Sequence, residues 1–197
     1  MKPRFKGCLG GCLLFAVGCV PSLHPLCEEQ DAARVAGLAG VWQGREQQTL
    51  VFSERGADGY RVVHLEANGG HGHFAVRATR LGGTLFLDAS PAEADVGGHG
   101  LYKLHWIPAH TFLRVALRGD TLELAPLSVR WLTERLKENP ELLRHEWADG
   151  RLVLTASTAE LRKFLLDRQT EAGVFDEPSR WTRVAEPPAD GHGAPAP

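Results

Sequence analysis

The sequence predicts a mainly β protein of the α+β class. The expected form is an antiparallel up-and-down barrel or strongly curled sheet of about eight strands, with two or three short helices near the C-terminus. Three observations predict it. Between residues 49 and 125, apolar and polar residues alternate in short runs, the period of half-buried strands. Glycine turns divide those runs at short intervals, so neighbouring strands must pair antiparallel, because parallel pairs need long crossovers. After Ser128 the period lengthens to that of helices. A closed barrel or curled sheet removes the exposed edges that such a meander leaves.

The elements follow in order. A first strand lies around Trp42, and the folded domain is expected over residues 39–184. Residues 49–55 and 60–66 flank the turn Gly56-Ala57-Asp58-Gly59. In residues 72–81, Phe74, Val76 and Ala78 point one way, Arg77 and Thr79 the other. Gly82-Gly83 turns into residues 84–88, where Leu85 and Leu87 alternate with Phe86 and Asp88. A polar loop follows over residues 91–100. Strands are then expected at residues 101–107 and 111–117, separated by Pro108, and at 121–125 after Gly119-Asp120.

Ser128 can cap a helix carrying Trp131, Leu132 and Leu136 on one side, with Leu127 and Leu132 placed as a hydrophobic staple. Asn139-Pro140 ends that helix and can start a short second one. Asp149-Gly150 turns into a strand at residues 151–156. Ser157 and Glu160 have the spacing of a capping box, opening a helix with Leu161, Phe164 and Leu165 on one face. Residues 185–197 are mostly Pro, Ala and Gly and are expected to be disordered.

The start of the chain carries a different signal. Lys2, Arg4 and Lys6 precede an apolar stretch, residues 7–18, and small residues then stand directly before Cys19. That layout is a secretory leader, residues 1–18. The stretch is too short and too glycine-rich to be a transmembrane helix, which needs roughly 20 apolar residues. Residues 19–38 read as a tether: Pro21 and Pro25 interrupt local structure, and Glu28, Glu29 and Asp31 keep it hydrated.

Without the leader, 19 Lys and Arg face 24 Asp and Glu, a net charge of −5. That balance argues against nucleic acid as a partner, which normally meets a basic face. It also argues against electrostatic adhesion to anionic lipid. The remaining length suits one domain that needs no disulfides. Cys8 and Cys12 lie in the leader, so only Cys19 and Cys27 remain, and Cys27 is expected to be a free thiol without a redox role.

Val17-Gly18-Cys19 resembles the lipobox of bacterial lipoproteins. Three passages together resemble a group of uncharacterised bacterial lipoproteins: Gly18-Cys19-Val20-Pro21-Ser22-Leu23-His24-Pro25-Leu26, the run from Leu101 to Phe112 centred on Tyr102-Lys103-Leu104-His105-Trp106-Ile107-Pro108, and Leu152-Val153-Leu154-Thr155-Ala156-Ser157. The resemblance implies cleavage between Gly18 and Cys19 and lipid on Cys19. It places the protein outside the cytoplasm, held to the cell membrane or outer membrane, and it supplies no catalytic residues. Two or three acyl chains on one cysteine anchor a protein stably, since each buried CH₂ contributes about 0.8 kcal/mol. Gly40-Val41-Trp42 resembles the Gly-x-Trp that opens the first strand of lipocalins, where the Trp closes one barrel end. The helices between the later strands depart from a plain lipocalin.

Candidate chemistry centres on histidines. His71 and His73 would share one face of a strand, as two metal ligands require, with His64 or His99 as a third. Glycines crowd that segment, and the reading adopted is a surface turn without metal. His105 and His110 flank Trp106 and Pro108, with Tyr102 nearby. They form either a pocket rim or, the preferred reading, a strand bend with two satisfied histidines. No G-x-S-x-G, P-loop, H-E-x-x-H or Rossmann glycine pattern occurs, and His145-Glu146 lacks a second histidine. No cofactor is expected. The leading expectation is therefore a non-catalytic, lipid-anchored barrel that binds a small apolar or amphipathic ligand. Trp42, Phe52, Phe74, Leu85 and Trp106 would line its interior, and Trp42, Tyr102, His105, Trp106 and His110 would touch the ligand. The alternative is a structural or protein-interaction lipoprotein with a filled core that docks an envelope protein, because a small barrel can be filled by its own side chains. A histidine-centred hydrolase or metal-dependent enzyme is the third reading.

Overall fold

A computed structural model describes residues 19–56, 59–92 and 105–184. In chain order the strands are β1 (Gly40–Gln43), β2 (Thr49–Arg55), β3 (Gly59–Leu65), β4 (His71–Leu81), β5 (Thr84–Pro91), β6 (Thr111–Arg118) and β7 (Thr121–Pro126). Helix α1 (Val129–Glu138), the hairpin β8 (His145–Ala148) and β9 (Arg151–Leu154), helix α2 (Thr158–Arg168) and strand β10 (Ser179–Val184) follow. The fold is mainly β. Strands β1 to β7 and β10 close an eight-stranded antiparallel barrel of lipocalin-like form, in the order β1-β10-β7-β6-β5-β4-β3-β2.

Alternation along the strands builds the lumen. Leu50, Phe52, Tyr60, Val62, Val76, Ala78, Leu85, Leu87, Val115, Leu122 and Leu124 point inward, joined by Trp42 and Trp181, and none is more than 8% exposed. Phe52 and Tyr60 meet edge to face at 6.2 Å. Eight strands enclose a space just wide enough for such side chains. At the Trp181 end the fit is tight: a Cβ on Gly44 would stand 2.7 Å from the indole ring. The β4–β5 hairpin turns on Gly82 (φ +55°) and Gly83 (φ +85°), a pair of positive angles that glycine adopts without strain.

Part of the wall also has an apolar outer face. Phe86, Phe112 and Ala125 pack outward against Trp131, Leu132 and Leu136 of α1, Leu161, Phe164 and Leu165 of α2, and Leu152 and Leu154 of the hairpin. The molecule thus has two cores, one inside the barrel and one between its wall and the helices. Both helix starts follow the sequence. Ser128 accepts a hydrogen bond from the Trp131 amide, and Ser157 with Glu160 forms the reciprocal capping box.

Two expectations are corrected, the tether and the strand at residues 101–107, and three further details are added. First, residues 19–38 are not a hydrated tether. Ser22, Leu26, Cys27 and Leu38 are fully buried and Val20 is 3% exposed. The Ser22 amide donates to the His110 carbonyl at 2.9 Å and the His110 amide donates back at 2.8 Å. The Leu154 amide donates to the Pro21 carbonyl and the Leu23 amide to the Leu154 carbonyl, at 2.8 and 2.9 Å. Farther on, the Ala33 amide donates to Ala78, and the Val35 amide donates to the Tyr60 hydroxyl at 2.8 Å. This strap runs over the outer wall and then across one barrel mouth. Val20 and Leu26 pack on the outer wall and Leu38 joins the lumen cluster, while Leu23 stays exposed; its prolines suit extended backbone.

Second, the strand expected at residues 101–107 is not seen in its described part. His105 to Ile107 lie outside any strand, and residues 101–104 lie outside the described residues. Third, the strand at 151–156 pairs with β8 in a separate two-stranded sheet and not with the barrel. Fourth, Asn139-Pro140 starts only one 3-10 turn, Pro140–Leu142, and Asn139 makes no side-chain cap. Fifth, the barrel is closed by β10, a strand the sequence reading did not identify.

Two stability measurements test this architecture. A chain starting at Ala39 should be less stable than one starting at Cys19 by at least about 3 kcal/mol, since two buried leucines alone are worth roughly 1.5–3 kcal/mol each. Equal midpoints in urea would restore the tether. Trp181→Ala should cost about 3–5 kcal/mol by the same assay.

Candidate functional site

The polar centre of the molecule is Asp88 on β5. Leu85, Leu87 and Ala89 point into the lumen, so Asp88 points outward, beside Phe86 and under the strap. It is 4% exposed. A buried carboxylate persists only where its oxygens are satisfied, and here both are. Oδ1 accepts from His110 Nδ1 at 2.7 Å. Oδ2 accepts from the amides of Leu26 at 2.7 Å and Cys27 at 3.1 Å. One side chain therefore ties β5, the segment entering β6 and the strap together.

Cys27 completes an Asp–His–Cys neighbourhood, but its chemistry is not that of a nucleophile. The thiol donates to the carbonyls of Glu28 at 3.4 Å and Ala78 at 3.8 Å. Burial first, and the Asp88 charge second, push it up to about 11. Reactive cysteines sit where their thiolate is favoured, and this one is kept protonated. Asp88 and His110 act on backbone amides and on each other, as a clasp.

A cleft of about 350 Å³ opens beside the clasp, lined among others by Arg55, Gly59, Arg77, Ser90 and His110, with Glu29 of the strap on its wall. A second cleft, of about 650 Å³, lies where β5 and β6 part beyond the Leu85–Val115 pair.

The structure distributes the expected ligand residues rather than gathering them. Trp42 is fully buried, its Nε1 donates to the Leu38 carbonyl at 3.0 Å, and the Arg183 guanidinium lies 4.2 Å from its ring centre. Trp42 therefore seals the lumen and presents no surface to a ligand. Trp106, expected inside with it, is 40% exposed, and His105 is exposed as well. His110 is on the opposite side of the wall from Trp42, held by Asp88. Tyr102 lies outside the described residues. Phe52 and Leu85 are lumen residues as expected, with Phe74 packed partly buried against them.

His71 and His73 are exposed, their rings 5.6 Å apart, on the outer face of β4. His64 is on the inner face of β3, edge to face with Trp181 at 6.2 Å, so the sheet separates it from that pair. Burial lowers its pKa, partly offset by Glu66. His99 lies outside the described residues. Among the described residues, no group of three or more His, Cys, Asp or Glu is placed to hold a metal ion. His145 is engaged locally, its Nδ1 2.9 Å from the Leu143 carbonyl.

Sequence reasoning missed Asp88, Ser22 and Arg77. The available signal was an acid on a strand whose neighbours on both faces are apolar. Alternation alone assigns such an acid to solvent.

Two outcomes check the clasp. Cys27 alkylation should stay slow through pH 9 and accelerate only toward pH 11, where the thiolate forms. Between those values the folded chain keeps a proton that the unfolded chain has lost, so this group's contribution to stability falls as pH rises through the window. Asp88→Ala leaves two amides and an imidazole without their acceptor. It should cost about 3 kcal/mol and expose Cys27 to the reagent at lower pH. An unchanged alkylation rate in that variant would remove Asp88 from its role. Among known proteins, no family model, no curated protein and no solved structure matches this chain.

Proposed function

We propose that this chain is a lipid-anchored protein of the bacterial envelope, cut between Gly18 and Cys19. Its barrel is a filled structural body that works through its outer surface. The leader residues and the lipobox-like Val17-Gly18-Cys19 support the anchor. Gly18 lies outside the described residues. Cys19 is half-buried and bridges to Ser128, and its thiol is pushed up, first by burial and then by the Asp176 charge. Lipid on that thiol would leave the molecule at the β7–α1 junction. Among the described residues no helix is long and apolar enough to cross a membrane.

The observation that carries the surface reading is the lumen. Its buried lining is at most 8% exposed, and neither of the two clefts described above is lined by Trp42, Phe52, Leu122 or Trp181. Large apolar side chains stand outside instead: Ile107 is 65% exposed, Trp106 40% and Leu23 39%, on the two segments that the Ser22–His110 pairing joins. An envelope protein is the partner this surface suits. A second reading, capture of a small amphipathic ligand, is favoured by the 650 Å³ cleft. Its wall combines the apolar Leu85, Val115 and Leu117 with Arg80, Arg114 and Arg118.

Cys19→Ala should accumulate as uncut precursor and take up no labelled palmitate. Normal processing and labelling of that variant would defeat the anchor. Ile107→Asp with Trp106→Asp should abolish co-purification of an envelope protein and leave the melting temperature unchanged, and persistence of the complex would remove this surface from consideration.

A further inference from the structure

The outer face of β2, β3, β4 and β5 carries a small grid. Register places Arg55, Gly59, Arg77 and Asp88 near one lateral row, since Arg55 pairs with Gly59 and Arg77 with Asp88. Ser53, Arg61, Ala75 and Ser90 form the next row. Phe52, Val62, Val76 and Leu87 fill the lumen, so the grid residues point out. Three arginines thus share one face, and the positions between them are glycine and alanine. Two strand spacings, about 10 Å, separate the Arg55 and Arg77 backbones. The missing side chains at Gly59 and Ala75 make the floor of the 350 Å³ cleft.

Charge makes this notch unusual. Opposite charges facing each other across neighbouring strands ordinarily pair, and Asp88 is the residue opposite Arg77. Its oxygens are already taken by His110, Leu26 and Cys27. Glu54, next to Arg55, pairs with Arg34 at 3.0 Å. Arg55, Arg61 and Arg77 form no ion pair within 4 Å among the described residues, although the Asp88 carboxylate also lines the cleft, and the chain as a whole has a formal net charge of −2. Ser90 and His110 add polar groups at the far wall, and Glu29 faces the cleft from the strap.

We propose that this notch binds a small oxyanion, a phosphate or carboxylate held by Arg55 and Arg77. Guanidinium forks match both groups geometrically. Glu29 then accepts from a hydroxyl or amine on the same ligand, so the ligand class is a small phosphorylated or carboxylated polar metabolite or headgroup. The cleft volume falls within the range of small-molecule sites, about 300–1,000 Å³. The site does not depend on the anchor or on the partner surface.

Calorimetric titration of inorganic phosphate into the detergent-solubilised full chain at low salt tests it. Saturable binding is expected, weakened about tenfold by Arg55→Gln or Arg77→Gln and strengthened by Glu29→Gln, which removes a repelling charge. Arg180→Gln, beyond the other end of β2 and paired with Glu123, should change nothing. Gly59→Val fills the notch without strain, because a Cβ there would meet only the Val76 and Arg55 carbonyls at 3.5 and 3.6 Å. It should abolish binding at an unchanged melting temperature. Vesicles of phosphatidylcholine with and without phosphatidylglycerol separate the sources. Retention on anionic vesicles that is lost in Arg55→Gln/Arg77→Gln identifies a lipid headgroup, whereas binding of free phosphate identifies a soluble ligand. Either outcome supports the site. Absence of both, or binding that survives the double substitution, overturns it.

Discussion

The fold depends on β10 lying between β7 and β1. Seven strands in sequence make an open sheet with two edges, and β10 satisfies both, pairing Ser179 to Thr182 with β7 and Thr182 to Val184 with β1. Closure sets the circumference, and the circumference sets the lumen. Eight strands leave room for side chains, and Trp42 and Trp181 take much of it. The buried lining leaves the centre of the lumen occupied by the protein's own side chains.

Residues 127–178 are the detour that closure requires. They do not hang from the barrel. Phe86 and Phe112 offer them an apolar wall, and α1, α2 and the β8–β9 hairpin bury that wall from outside. The strap uses the same surface. Asp88 sits among these apolar residues because three donors converge there, and its engagement has a second effect. A carboxylate whose oxygens are committed to His110 and two amides forms no direct ion pair with the arginine opposite it, and leaves that guanidinium's donors to other acceptors.

Much of the barrel was legible in the sequence, and particular residues show why. Leu85 and Leu87 alternate cleanly with Phe86 and Asp88, and Gly82-Gly83 announces its turn. The caps at Ser128 and Ser157 are short-range chemistry, which sequence displays directly. β10 was not legible because Ser-Arg-Trp-Thr-Arg-Val holds one large inward residue, Trp181, among polar ones, and its pairing partners are far away in sequence. The strap was misread for a related reason. Two prolines and three acids punctuate it, while its stability comes from apolar residues meeting a surface that exists only after folding. The clasp is likewise non-local: Leu26 and Asp88 are 62 residues apart. The histidine clusters had the opposite fault. Their spacing suggested a site, but strand alternation puts His64 on one side of the sheet and His71 and His73 on the other.

The strap also orders events in time. It is the earliest part of the fold to be synthesised, yet its partners are among the later ones: Ser22 needs His110 and Leu154, and the Pro25 carbonyl needs the Thr158 hydroxyl 133 residues on. Contacts this distant form slowly, because loop closure comes first. A chain made N-terminus first must keep Val20 and Leu26 uncovered until the wall and α2 have emerged. This early segment therefore cannot take its final place before residues 110, 154 and 158 have been made.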